Sequence, residues 1–200
     1  LARGDKRSIF AIGAIGPVIH RIHPDVLIEA GLLARPIIHM PKLEQQSSKP
    51  TWQGVYGECV VRSTSRNKML TDFAVKCEKP SLLFVKEIKH GHALEKRLQK
   101  EGVSCEFLWG DKHTGKRKEA VRRLVTGDTD VLIVSVIFQE GTDIPSVKSV
   151  IVGSSGMRMH GDKKEFHVYD IYDDGHRTLK KWSKSRKKAY EAEGYEVLPL

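Results

Sequence analysis

Val131-Leu-Ile-Val-Ser-Val-Ile-Phe-Gln-Glu-Gly-Thr-Asp-Ile-Pro145 is the stretch whose reading decides the fold. It opens with an apolar run, Val131 to Val134, preceded by the turn Gly127-Asp128-Thr129-Asp130. A short, β-branched, fully apolar run bounded by turn residues is how a strand buried on both faces of a parallel sheet reads. The polar group Gln139-Glu140-Gly141-Thr142-Asp143 follows at its carboxyl end, and a second apolar strand, Val147 to Val152, comes soon after. Open α/β sheets bind ligands at the carboxyl ends of their strands. A buried strand that delivers Ser, Glu, Gly and Asp to its tip therefore presents polar groups as well as filling a core.

Working outward, the same rhythm repeats. Ser81 to Val85 and Val103 to Leu108 read as strands, and His90 to Glu101 and Thr114 to Thr126 as helices. Gly102 suits the left-handed position that ends a helix. Upstream, Thr51 to Cys77 reads as helical with Thr51 as cap and a break within Ser63 to Asn67; Ile37 to Met40 reads as a strand, and Pro41 to Pro50 as a linker. His23-Pro24 starts a helix with Val26, Leu27, Ala30 and Leu33 on one face, and Val18 to Ile22 alternates like a strand. Downstream come a strand from Glu165 to Tyr172, a basic helix from Arg177 to Ala192 and a short tail, Glu196 to Leu200. Alternating strand and helix predicts an α/β fold, a doubly wound parallel sheet. Trp182 and Tyr190, eight apart on the basic helix, read as core.

The chain has 200 residues, 40% apolar and 30% charged, the balance of a soluble globular protein, and a net charge of +9 that favours a polyanionic partner. No apolar run approaches the roughly 20 residues of a membrane span. Cys59, Cys77 and Cys105 are too widely spaced for zinc, and the nine histidines never stand at ligand spacing with them, so no metal is expected on this chain. His113-Thr114-Gly115-Lys116-Arg117 lacks the first Gly, and the Ser/Thr after Lys, of a phosphate-binding loop. Alone, the chain lacks the equipment to hydrolyse a nucleotide.

Strand Ser81-Leu-Leu-Phe-Val85, helix His90 to Lys100, Phe107-Leu-Trp-Gly-Asp111 with Arg117 to Leu124, and the Val131 to Pro145 stretch resemble motifs IV, IVa and V, in order and spacing, of the second RecA-like domain of superfamily 2 helicases. Ile15-Gly-Pro-Val-Ile-His-Arg-Ile22 and Val26-Leu-Ile-Glu-Ala-Gly-Leu-Leu-Ala-Arg-Pro36 are similar to the stretch after motif III in the branch holding phage recombination helicases and restriction-type and XPB-type translocases. The resemblance implies a RecA-like sheet, a P-loop NTPase-like fold. Residues 1–36 would be the end of a first RecA-like domain and a connector, 37–176 the second domain, and 177–200 a basic helix and tail. Gly141 and Asp143 would face ATP, and Ser135, Lys86, His90 and Arg117 would contact nucleic acid. Motif VI departs from its pattern: Gly153-Ser-Ser-Gly-Met-Arg-Met-His160 keeps only a tail in which Arg158 would be the arginine finger, and a segment is expected to be missing near 155–157. ATP and Mg²⁺ would be bound mainly by an upstream RecA-like domain of the same chain, and the partner would be single-stranded or branched DNA ahead of RNA. A role in DNA repair or recombination is implied, in the cytoplasm of a bacterial or phage-infected cell, or in a eukaryotic nucleus. The alternative is a non-catalytic nucleic-acid-binding or regulatory domain on a degenerate helicase fold.

Overall fold

The computed structural model describes residues 13–14, 16, 19–20, 22–32, 34–110, 114–135, 144, 146–153 and 165–199. Nine strands appear among them: β1 (Arg35–His39), β2 (Lys42–Leu43), β3 (Ser81–Phe84), β4 (Cys105–Leu108), β5 (Val131–Val134), β6 (Ser149–Val152), β7 (Glu165–Asp170), β8 (Tyr172–Asp173) and β9 (Glu196–Leu198). The helices used below are α1 (Pro24–Glu29), α2 (Trp52–Tyr56), α3 (Thr64–Lys76), α4 (Ile88–Lys100), α5 (Thr114–Thr126) and α6 (Arg177–Ala192). Seven strands form one sheet in the order β4-β5-β3-β6-β7-β1-β9, and β2 pairs with β8 beyond it. Each of these pairings is parallel. This is a parallel α/β sheet with helices on both faces, as the alternation of elements predicts, and of the RecA-like class that the resemblance implies.

The central strands are buried along their whole length because both sheet faces are covered. Successive side chains point to opposite faces. Leu82, Leu132, Val134, Val150 and Val152 meet Ala120 and Leu124 of α5 on one face. Leu83, Val131, Ile133 and Ile151 meet Leu70 and Ala74 of α3 and Leu94 and Leu98 of α4 on the other. A third cluster joins Val55, Tyr56, Cys59 and Val60 to Leu179 of α6. Gly91 lets α4 approach the sheet: a Cβ there would lie 2.2 Å from the Phe107 ring.

The expected break in the first long helix falls at Arg62–Ser63, the start of its predicted place. Thr51 caps α2, whose continuation widens into a π-helical turn, Gly57–Val61. Ser63 then accepts from Arg66 N–H and restarts the chain as α3. Buried polar groups secure this corner. The Arg66 guanidinium pairs with Asp173 and its Nε donates to the Cys59 carbonyl, 3.3 Å away. Ser183 Oγ accepts from Asp173 N–H at 3.0 Å.

Three expectations need correction. Ile19, His20 and Ile22 are not in a strand; Ile19 and Ile22 are exposed, so their alternation meets no sheet. The supposed linker is folded: Lys42–Leu43 pairs with β8, and Gly175 packs so tightly on Gln45 that a Cβ would lie 1.8 Å from its carbonyl oxygen. The tail is a strand, with Ile37, Ile38 and His39 of β1 registered on Glu196, Val197 and Leu198. Pro36 lies just before that register begins, so its missing N–H breaks no bond to β9.

Candidate functional site along the carboxyl edge of the sheet

Because the strands are parallel, their carboxyl ends share one edge. Three adjacent tips concern the site: β5, β3 and β6. Val85 N–H donates to the Val134 carbonyl at 2.9 Å, and Gly153 N–H to the Phe84 carbonyl at 2.9 Å. The chain leaves β3 for β4 on one side and returns through β5 to β6 on the other, so the tips stand at a switch point of the kind where α/β proteins bind ligands. Gly153 is required by close approach, since a Cβ would sit 2.6 Å from the Phe84 carbonyl oxygen.

The predicted residues fall at different depths. Ser135 lies at the tip of β5, buried, its N–H donating to the Leu108 carbonyl at 3.2 Å. Lys86, at the tip of β3, is exposed, with its ammonium 5.6 Å from the centre of the Tyr56 ring. That cation–π contact steers a long side chain that would otherwise sample many rotamers. Arg117 is half-buried in the first turn of α5. Gly141, Asp143 and Arg158 lie outside the described residues, in the segments leaving β5 and β6.

His90 sits differently. It lies in the first turn of α4 but is fully buried, its Nε2 2.8 Å from Asn67 Oδ1. Asn67 Nδ2 donates to the Val61 carbonyl, which turns Oδ1 toward the imidazole, so Nε2 carries the proton. Burial, assisted by Arg66, brings the His90 pKa down to about 4. A neutral, enclosed imidazole ties α4 to α3 and has no path to a phosphate.

Sequence reasoning missed Trp109. It is 46% exposed at the tip of β4, beside the backbone bond joining Ser135 to Leu108, with His92 edge-on to its ring at 5.8 Å. Its one signal was a Trp followed by Gly110 and Asp111 just after a strand. Of the two aromatics read as core on the basic helix, Tyr190 is half-buried with its hydroxyl 3.1 Å from Asp170, whereas Trp182 is 38% exposed, edge-on to Trp52. The cysteines are free thiols, and burial, then Glu95 and Asp130, push that of Cys105 up to about 11, far from a reactive thiolate. Among the described residues no three His, Cys, Asp or Glu side chains gather as a metal site. Nor, among them, is any helix long and apolar enough to cross a membrane.

The sequence model of the helicase conserved C-terminal domain matches residues 65–166, about half the chain, from α3 into β7. The ATP-dependent RNA helicase SrmB of Escherichia coli is 36% identical over 70 residues, covering 35% of this chain and 16% of that protein. IRC3 of Saccharomyces cerevisiae is 26% identical over 109 residues, 48% of this chain and again 16% of that protein. The matched stretch is thus a small part of each relative. Among solved structures, T4 UvsW superposes with a TM-score of 0.66 at 18% identity, covering 82% of this chain and 41% of the other. S. cerevisiae Dbp5 bound to RNA and ADP BeF3 superposes with a TM-score of 0.64 at 16% identity, covering 99% and 49%. Likeness at such low identity speaks for the fold alone.

Proposed function

Since the chain belongs to the helicase conserved C-terminal domain family, we propose that it is the second motor domain of an ATP-dependent superfamily 2 helicase or translocase acting on DNA. The observation that carries the reading is the convergence of the β5, β3 and β6 tips on one edge, inside the matched stretch. In sequence, Gly141 and Asp143 follow β5 and Arg158 follows β6, the two strands that flank β3, whose tip carries Lys86. In this reading Asp143 and Arg158 face the nucleotide across a cleft formed with an upstream RecA-like domain. An arginine in that position stabilises charge developing on the transferred phosphoryl group. Ser135, Lys86 and Arg117 hold the phosphate backbone of the strand. Such contacts position a polynucleotide without reading its sequence, so binding is salt-dependent and weakly specific.

The described side chains do not fit a magnesium site, because no cluster of carboxylates forms among them. In this reading Mg²⁺ is held mainly by the upstream domain. What these residues do is close on the nucleotide, and grip and release the strand as the two domains approach and part.

RNA is the second reading, favoured by the 36% match to SrmB. Both are tested on the natural full-length protein by ATPase rates with single-stranded DNA or RNA of one sequence. The expected result is stimulation by DNA exceeding that by RNA, and loss of at least about 100-fold in stimulated rate for Asp143→Ala, the scale of removing one transition-state contact. A rate unmoved by Asp143→Ala sinks the nucleotide role; greater stimulation by RNA selects the second reading.

A further inference from the structure

The helix α6 carries seven cations, Arg177, Lys180, Lys181, Lys184, Arg186, Lys187 and Lys188, against one acid, Glu191. Three of the seven are committed. Arg186 is bidentate on Asp170, with Nε 2.7 Å from Oδ2 and Nη2 3.0 Å from Oδ1. Lys180 pairs with Asp174 at 2.6 Å, and Lys187 with Glu191 at 3.7 Å. Arg177, Lys181, Lys184 and Lys188 are exposed, and none has a carboxylate within ion-pair distance among the described residues. Asp174, the partner of Lys180, is held below the usual carboxylate range by Lys180 first, then by Lys42 and Lys184.

The spacing of those four is four, three and four residues, which places them on one line along the helix. Leu179, Ser183, Arg186 and Tyr190 face the protein on the opposite side. The row therefore faces straight out, over about 16 Å at 1.5 Å per residue. A face that only keeps a protein soluble mixes both signs; this one carries a single sign in one line. The row also has a defined position. The chain passes from β7 through β8 into α6, so Arg177 stands at the carboxyl edge of the sheet and Lys188 toward the other edge.

Resting on the proposed function, we infer that Arg177, Lys181, Lys184 and Lys188 form a second, sequence-independent surface for the phosphate backbone of duplex nucleic acid, outside the strand grip. Duplex is chosen over single strand because proteins that hold single strands add aromatic platforms for the bases. The row has none: Trp182 lies about 130° around the helix from it and is engaged edge-on by Trp52. Four ammonium and guanidinium groups in a line suit a backbone whose bases are already stacked and hidden.

Binding is tested on the full-length protein without nucleotide, and ATPase separately with ATP present. Affinity for a duplex and a single strand of about 30 units is measured from about 50 to about 300 mM NaCl, where each contacted phosphate contributes about 0.9 to the duplex slope of log K against log salt. The variant is K181Q/K184Q/K188Q, and the control K68Q/K76Q/K100Q removes equal charge from exposed positions of α3 and α4. Far-UV circular dichroism confirms that both fold. The expected result is a duplex slope shallower by about 2.7 for the α6 variant, three phosphates lost, with single-strand slope, strand-stimulated ATPase and the control unchanged. An unchanged duplex slope overturns the inference and leaves the motor reading standing. So does failure of the unsubstituted protein to bind duplex at the lowest salt. Equal losses for single strand and duplex, or for variant and control, overturn it as well. A lost duplex slope in a protein whose ATPase ignores nucleic acid sinks the motor reading alone.

Discussion

Acidification from pH 7 to pH 5 is expected to destabilise the domain through His90, and the size of the effect follows from its surroundings. The imidazole is fully buried, donates from Nε2 to Asn67 at 2.8 Å, and has its pKa brought from 6.5 to about 4 by burial and then by Arg66. The unfolded chain, where the ring titrates normally, then binds more protons than the folded one between those two values. Stability therefore rises with pH across that window: it is whole above pH 6.5 and is lost as the pH falls toward 4. One pH unit of difference is worth about 1.4 kcal/mol. Integrating the two titrations from pH 7 to pH 5 gives a loss of roughly 2 kcal/mol, rising to roughly 3 kcal/mol below pH 4. The assay is urea unfolding at pH 7 and pH 5, for the protein and for His90→Gln, whose amide still donates to Asn67 but does not titrate. Other groups, including His39, whose pKa is lowered by burial and by His167, act in both proteins and cancel. The unsubstituted protein should lose roughly 2 kcal/mol more than the variant over this interval. Equal losses would refute the enclosed, neutral histidine and reopen a phosphate contact for it.

Further substitutions test the packing. Asp173→Ala strips the partner from Arg66, whose side chain is 4% exposed, and should cost about 3–5 kcal/mol in urea unfolding. Glu119→Gln, which breaks the exposed i,i+3 pair with Arg122, should leave stability nearly unchanged because solvent screens that pair, and comparable losses at both sites would contradict the burial argument. Gly91→Ala gains up to about 1 kcal/mol of helix propensity but drives a methyl to 2.2 Å from the Phe107 ring, so a net loss of about 1–2 kcal/mol is expected. Adding Phe107→Leu should recover part of that loss; a stabilised Gly91→Ala protein would show that α4 does not approach β4 so closely.

The sheet was legible in the sequence because buried parallel strands write their own signal. Ser81–Phe84, Val131–Val134 and Ser149–Val152 are largely apolar runs between turn residues, Cys105–Leu108 at the sheet edge keeps Phe107 and Leu108 beside Glu106, and the helices between them carry an apolar stripe. Ser135 and Lys86 were legible as residues at strand tips. Their partners were not, since the Tyr56 ring under Lys86 and the Leu108 carbonyl on Ser135 come from chain 30 and 27 residues away.

Composition and periodicity alone settled that the chain folds as a doubly wound α/β sheet and that one late helix is strongly basic, because both depend on neighbours in sequence. Tertiary structure decided what long-range pairing controls. Glu196–Leu198 has too little pattern to declare itself, and becomes a strand because β1 offers it a free edge. Lys42–Leu43 leaves the supposed linker for the same reason, drawn into register with β8. The fold also separated two basic groups that look alike as residues. It turned His90 inward onto Asn67, where desolvation keeps it neutral, and turned Lys181, Lys184 and Lys188 outward on the side of α6 away from its buried face. A side chain's charge is chosen by its residue type; whether that charge meets water, a partner or a phosphate is chosen by which face the packed core leaves open.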